Sequence, residues 1–236
     1  MNLLGIIGGL GPMATAYFLE QLIQMTDVTC DQEHIPMIIY NLPSIPDRTK
    51  HILGLSKEDP SIPMIAAGKK LVADGVEEIA IPCITASYYH DSIQSALGIP
   101  VLNGIRQAGE YLAERGVKRV GIMATDGTVT CRLFDRELTE LGIECIYPEE
   151  VFQKDVMHLI YENVKAGRPI ETDRFDRVIA HLQERGVERI LLGCTELSVI
   201  KRDCGVPDIC LDVMEVMARR CVLDMGRKLK KEYENL

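Results

Sequence analysis

The chain has no tryptophan, and Phe, Trp and Tyr together make up only 5% of its 236 residues. Any core must therefore be aliphatic, and the hydrophobic fraction of 47% is ample for one. Positive charge is also scarce. Lys and Arg number 26 against 35 Asp and Glu, leaving a net charge of −9, with no basic cluster beyond the Arg227–Lys231 stretch. That excludes nucleic acid as a partner, since neutralising phosphates needs a concentrated basic face. No apolar run approaches the ~20 residues of a membrane span, so no membrane partner is expected. The opening Met1-Asn2-Leu3-Leu4-Gly5 lacks the basic region of a secretory leader, which points to a cytoplasmic protein. The eight cysteines form no CxxC pair, and in such a compartment they stay reduced. The five histidines are scattered and have no metal-ligand spacing with the cysteines, so no metal is expected.

What the sequence does contain is alternation. Apolar runs of four to eight residues, such as "LLGIIGG", "IPMIIYNLP", "EEIAIPC", "KRVGIMAT", "IECIYP" and "ERILLGC", read as buried strands. Helical patterns of 10–15 residues separate most of them, among them "MATAYFLEQLIQMT", "SIPMIAAGKKLVADG", "TVTCRLFDRELTELG" and "TDRFDRVIAHLQERG". Shorter strands are expected at "IPVLNG" and "VPDICLD". This rhythm predicts an α/β fold with parallel sheets covered on both faces.

The alternation is duplicated. "GVEEIAIPCITAS" from Gly75 and "GVERILLGCTELS" from Gly186 align residue for residue, pairing Cys83 with Cys194 and Ser87 with Ser198. "LLGIIGGLGPMAT" parallels "RVGIMATDGTVTC", and "GIPV" parallels "GVPD". Two α/β halves of similar plan are expected; that they are Rossmann-like, related by a pseudo-twofold and separated by an active-site cleft is what the family resemblance given below implies. The first spans residues 1–100 with the C-terminal 208–236 and carries Cys83; the second spans 101–207 and carries Cys194.

Ligands of parallel α/β sheets sit at the carboxyl ends of the strands, and both cysteines lie where a strand ends and a helix begins. The positive end of a helix should lower a thiol pKa, and Thr85 and Thr195 are available to help cap those helices. Two near-equivalent acid–base groups suit 1,1-proton transfer with inversion. One takes the α-proton, the other delivers a proton to the opposite face, and the reverse reaction swaps them. Each sulfur would stand roughly 3–3.5 Å from the α-carbon, leaving the sulfurs about 7 Å apart and unable to form a disulfide.

These motifs resemble the aspartate/glutamate racemases that work without pyridoxal phosphate, and their aspartate racemase branch in particular. The resemblance rests on "ILLGCTELSVI" at 190–200, "IIGGLGPMAT" at 6–15, "IPDRT" at 45–49 and "NVKAG" at 163–167. It implies an isomerase interconverting L- and D-aspartate, with no cofactor, and a homodimer. It implies that Cys83 and Cys194 are the catalytic pair. Arg48 and Lys165 would hold substrate carboxylates, and Ile84, Thr85 and Ala86 would contact the α-carboxylate through their backbone. One departure stands out: Ile84 occupies a position where the family usually has Asn. Losing a polar substrate contact weakens recognition by about 1–3 kcal/mol. Ile84 therefore leaves open another amino acid such as glutamate, or a weakened protein that binds an amino acid or dicarboxylate without turnover.

Other residues have plainer readings beside the functional one. Arg48 could be a surface arginine in a loop, and Lys165 a cation satisfying a helix C-terminus. "GGLGPMA" superficially resembles a dinucleotide loop, but no acid for a ribose comes after the second strand; a turn at Leu10 and Gly11 offering N–H groups to a small carboxylate fits better. Thr125 and Thr128, in the matching turn of the second half, are candidates to line the cleft. Thr195 joins the substrate-contact candidates as the residue after Cys194.

Overall fold

The structure is a computed structural model that describes residues 2–236. The chain divides into two compact units, Met1–Gly104 with Met214–Leu236, and Ile105–Val213.

In the first unit the central strand is β1 (Leu4–Gly8), every residue of which is buried. It pairs in parallel with β2 (Met37–Asn41) on one side and β3 (Glu78–Ala80) on the other, so that Ile6 faces both Ile39 and Ala80. The order is β2-β1-β3. Helix α1 (Pro12–Met25) starts with proline at its first turn, where the missing N–H costs nothing. A short helix α2 (Arg48–Ile52) is capped by Asp47, whose side chain accepts from the Lys50 N–H. Helix α3 (Ser61–Ala73) is followed by Gly75 at φ +86°, and α4 (His90–Leu97) ends at Gly98 in the left-handed region. The aliphatic core gathers Ile7, Met64, Leu71, Ile79, Cys83, Ile93 and their neighbours.

The second unit begins within α5 (Gly104–Ala113), at Ile105. Its sheet holds β4 (Arg119–Met123), β5 (Glu144–Ile146), β6 (Arg189–Leu192) and β7 (Cys210–Asp212), all parallel, in the order β5-β4-β6-β7. The first three strands thus repeat the order of the first unit's sheet. Helices α6 (Asp126–Thr130), α7 (Leu133–Leu138), α8 (Glu150–His158), α9 (Thr172–Glu184) and α10 (Thr195–Cys204) surround it. Helix α9 buries Phe175, Val178, Ile179 and Leu182, spaced for one helical face. Helix α11 (Val213–Asp224) leads back into the first unit. There the chain end joins α1: Asp27 N–H donates to Lys228 and Lys230 N–H to Met25.

Local differences from the sequence expectations have physical causes. The single helix expected over 128–142 is broken at Arg132, which takes φ +48° and separates α6 from α7. The "IPVLNG" strand shrinks to one bridge, Ile79 to Val101, with Pro100 unable to donate to a ladder. The chain from Glu150 also departs from one regular helix: α8 is continued by a π-helical segment, Leu159–Lys165.

Candidate active site

The first cysteine stands beyond β3, and Cys83 is itself the residue at the cap position. The helix it opens is not an α-helix but a 3-10 helix, Ile84–Tyr89, begun by the Ala86 N–H donating to the Cys83 carbonyl at 3.0 Å. Cys83 is nearly covered, with 7% exposure. It borders a small cavity lined by Ile81, Ile84, Ala86, Val101 and Met217. The Ile84 side chain points into this apolar wall: a methyl built on Gly104 would touch its Cδ1 at 3.5 Å. Thr85 and Ala86 are buried beside it. His90 borders the same cavity, and its Nε2 donates to the Val101 carbonyl at 2.7 Å.

Around the second cysteine the surroundings are charged. Cys194 comes after β6 and again occupies the cap position, here of α10, with Thr195 as the first helical residue. Its Sγ donates to Glu196 Oε2 at 2.9 Å, and the other carboxylate oxygen lies 3.8 Å from Lys165 Nζ. Glu196 is buried, at 4% exposure. The Cys194 thiol is pushed well above its ordinary pKa. Burial is the main cause and the Glu196 charge adds to it, while Lys165 opposes them. The lowering expected from the helix terminus is therefore overturned for Cys194, which is a thiol donating to a carboxylate.

Lys165 reaches this cluster because the chain takes one π-helical segment. It is the last residue of Leu159–Lys165, and its Nζ also lies 4.4 Å from the Tyr161 ring centre. Asn163 pins the segment. Its side chain donates to Glu171 and accepts from the Glu171 N–H, and its carbonyl accepts from the Arg168 N–H. π-Helical turns of this kind recur at functional sites.

Arg48 is neither a surface residue nor in a loop. It begins α2, is 7% exposed, and its Nη2 donates to the Leu10 carbonyl at 2.9 Å. Its Nη1 donates to the Pro46 carbonyl at 3.0 Å. Thus the IPDRT motif is tied directly to the glycine turn. That turn is closed from within by Thr15, whose Oγ1 accepts from the Gly9 N–H at 2.8 Å and donates to the Gly11 carbonyl at 3.0 Å. The fit needs glycine: Gly9 has φ +92°, and a Cβ on Gly8 would lie 2.3 Å from the Thr15 methyl. Gly11 caps α1. In the matching turn of the second unit, Thr125 caps α6 by accepting from the Thr128 N–H, and the two hydroxyls lie 3.1 Å apart.

A sequence model of the Asp/Glu/hydantoin racemase family matches residues 7–221. The chain belongs to that family. The resemblance drawn from the motifs therefore holds, and this racemase acts on a small amino-acid substrate. Among solved structures it is similar to the aspartate racemase of Picrophilus torridus, at 29% identity and a TM-score of 0.83, with 99% of this chain and 98% of that one covered. It is also similar to an aspartate racemase homologue from Pyrococcus horikoshii, at 25% identity and a TM-score of 0.77, with 96% of this chain and all of that one covered. Among curated proteins, the broad specificity amino-acid racemase RacX of Bacillus subtilis is 24% identical over 84% of this chain and 87% of its own.

In this racemase the residue that sequence reasoning passed over is Glu196. The signal was present, since an acidic side chain two residues after the cysteine sits in the first turn of α10. An acid there ordinarily serves the helix dipole from the surface, so only its burial against the thiol singles it out. Thr15 was missed for a similar reason, because a threonine in an apolar helix reads as packing.

Proposed function

We propose that this racemase interconverts L- and D-aspartate without pyridoxal phosphate or metal, with Cys83 and Cys194 as its two bases. The observation that carries the reading is the Cys194 thiol held on Glu196 beside Lys165. It supplies a protonated acid at one duplicated motif, leaving Cys83 to act as the base. In the direction so defined, the Cys83 thiolate takes the α-proton and becomes a thiol. Cys194 gives its proton to the carbon and becomes a thiolate, and the reverse reaction exchanges the roles. No electron is gained or lost. Glu196 is a positioning residue: it orients the thiol, and its negative charge disfavours the thiolate.

Arg48 and Lys165 are the candidate cations for the two carboxylates of aspartate, and planar bidentate contacts from Arg suit one of them. The backbone of Ile84, Thr85 and Ala86, with Leu10, Gly11, Thr125 and Thr195, completes the proposed substrate contacts. Fixed N–H donors of that kind would stabilise the carbanion-like transition state. Aspartate as substrate is supported by the likeness to the Picrophilus torridus enzyme over 99% of the chain. The packed Ile84 favours a second reading. With no side-chain amide at that position, recognition would rest on backbone groups common to every amino acid, and RacX is named for broad specificity. Under either reading the protein is a cytoplasmic homodimer, a state that light scattering measures.

Incubating the protein with L-aspartate in deuterated buffer tests the reaction. Solvent deuterium should enter the α-position as D-aspartate accumulates. No α-deuteration across aspartate, glutamate and neutral amino acids would reject both readings; exchange on many of them would favour the second.

A further inference from the structure

Helix α2 opens with Arg48 and is only five residues long, too short to hold its shape alone. Its start is fixed. Asp47 caps it, and the Arg48 guanidinium donates to the carbonyls of Leu10 and Pro46. Its last turn is fixed by His51, three residues on from Arg48 and so on the same side of the helix. His51 Nδ1 shares a 2.7 Å hydrogen bond with the Tyr89 hydroxyl, across 38 positions of sequence.

Tyr89 is the last residue of the 3-10 helix that follows Cys83. Six residues are a long run for that kind of helix, so its shape also depends on what holds its ends. Tyr89 is buried in the same apolar cluster as Leu10, Ile45, Cys83 and Ala86. The Tyr88 ring meets it edge-on, with centres 4.9 Å apart, and Ser92 Oγ donates to its carbonyl at 2.8 Å. Burial is the main cause that raises the Tyr89 phenol above its usual range. Asp59 adds most after it and Tyr88 less, Arg48 opposes, and Cys83 adds the remainder. The hydroxyl therefore keeps its proton near neutrality and lies in the field of both Arg48 and Cys83. One hydrogen bond thus joins the helix that starts with Arg48 to the far end of the helix that starts after Cys83.

We propose that the His51–Tyr89 pair sets the span between Arg48 and the backbone of residues 84–86, and so selects the chain length of the dicarboxylic amino acid this racemase accepts. The inference deepens the proposed function and rests on its reading that those two groups take the two substrate carboxylates. Two carboxylate grips at a fixed span discriminate between diacids that differ by one methylene, whereas grips free to shift apart do not. His51 and Tyr89 are positioning residues, acting through Arg48 and the 3-10 helix rather than on substrate.

Calorimetric titration of the full chain with disodium succinate and with disodium glutarate is the test. These diacids carry the two carboxylates of aspartate and of glutamate without the amine, and their binding is read without turnover. The unsubstituted chain should prefer succinate by about 10-fold. Tyr89→Phe, which removes one hydroxyl, should cut the preference to about 2-fold, chiefly by weakening succinate. His51→Ala should do the same, while His51→Asn, whose amide can take the place of Nδ1, should keep the preference. In an Arg48→Lys background, Tyr89→Phe should change succinate affinity by less than about 2-fold, because the pair acts through Arg48.

No preference in the unsubstituted chain, an unchanged preference in Tyr89→Phe or His51→Ala, or an undiminished effect of Tyr89→Phe in the Arg48→Lys background would each overturn the proposal. So would equal weakening of both diacids, which is what a merely structural role gives, or binding of neither. Where Tyr89→Phe fails to fold, His51→Ala and His51→Asn decide. Racemisation of L-aspartate is followed in parallel. The expected diacid pattern without racemisation would refute the proposed reaction and leave the His51–Tyr89 assignment standing; racemisation with an unchanged preference in the variants would do the reverse.

Discussion

The two cysteine motifs share a sequence pattern and a place in their sheets, but not an environment. Cys83 looks into an apolar wall of Ile81, Ile84, Val101 and Met217, whereas Cys194 donates to a buried carboxylate that is itself 3.8 Å from an ammonium group. The two motifs share the sulfur and the serine four residues on, and differ in the three residues between: Ile84-Thr85-Ala86 behind the first, Thr195-Glu196-Leu197 behind the second. Symmetry of sequence is therefore a poor guide to symmetry of charge. Under the proposed two-base reading one acid and one base are needed at the start of each turnover, and the raised Cys194 thiol would be the acid.

The largest effect is expected from the sulfurs. Cys83→Ser and Cys194→Ser should each lower racemisation by about 10³-fold or more, because serine at neutral pH is a far weaker base than a thiolate. The residual α-proton exchange sharpens the comparison, since each variant should retain exchange on one enantiomer and the two should retain it on opposite ones. Loss of exchange on the same enantiomer in both would break the two-base assignment.

Next comes Glu196→Gln. Removing a negative neighbour favours the Cys194 thiolate, so its pKa falls from its raised position. The acid form is then lost at lower pH, and the alkaline limb of the kcat/KM profile should move down by roughly one unit or more. An unchanged limb, with kcat alone reduced, would mean that Glu196 acts only by packing. Lys165→Met should move the same limb the other way, because Lys165 favours the thiolate, and should raise KM.

Ile84→Asn tests the first motif. It would place an amide in the apolar wall against Met217, and should cost about 1–3 kcal/mol of stability by urea denaturation. Equal stability together with stronger aspartate binding would show that the position faces substrate instead. The smallest effect is expected at Thr15→Val, which removes the hydroxyl closing the glycine turn and should cost about 1 kcal/mol, with no shift of the alkaline limb.

Much of the fold was legible because its determinants are local in sequence. The strands lie in apolar runs, with β1 buried along its whole length and β2 only half-buried, and glycine at φ > 0 follows α3 and α4 where the pattern stops. The helix break at Arg132 was not legible, since "TVTCRLFDRELTELG" keeps helical spacing through it and contains no glycine or proline before its end. At the site, the positions of Cys83 and Cys194 could be read from the motif, but the protonation of Cys194 could not. A helix terminus is worth about 0.3–1 kcal/mol to a charge, whereas full burial can shift a pKa by several units. The larger effect is tertiary: it depends on Glu196 turning inward, which no spacing rule announces. Arg48 shows the same limit, because its burial depends on a carbonyl at Leu10, 38 positions away in the chain.

The π-helical segment ahead of Gly167 gives Lys165 an unusual evolutionary handle. A π turn spends about one residue more than an α turn, so losing a single residue within Leu159–Val164 leaves the lysine facing nearly the same way only if the coil tightens to α, and turns it by roughly 80–100° around the axis if it does not. Point substitutions at its neighbours would not do this. The placing of the Lys165 ammonium beside Glu196 is therefore sensitive both to the length of that one segment and to how tightly it coils.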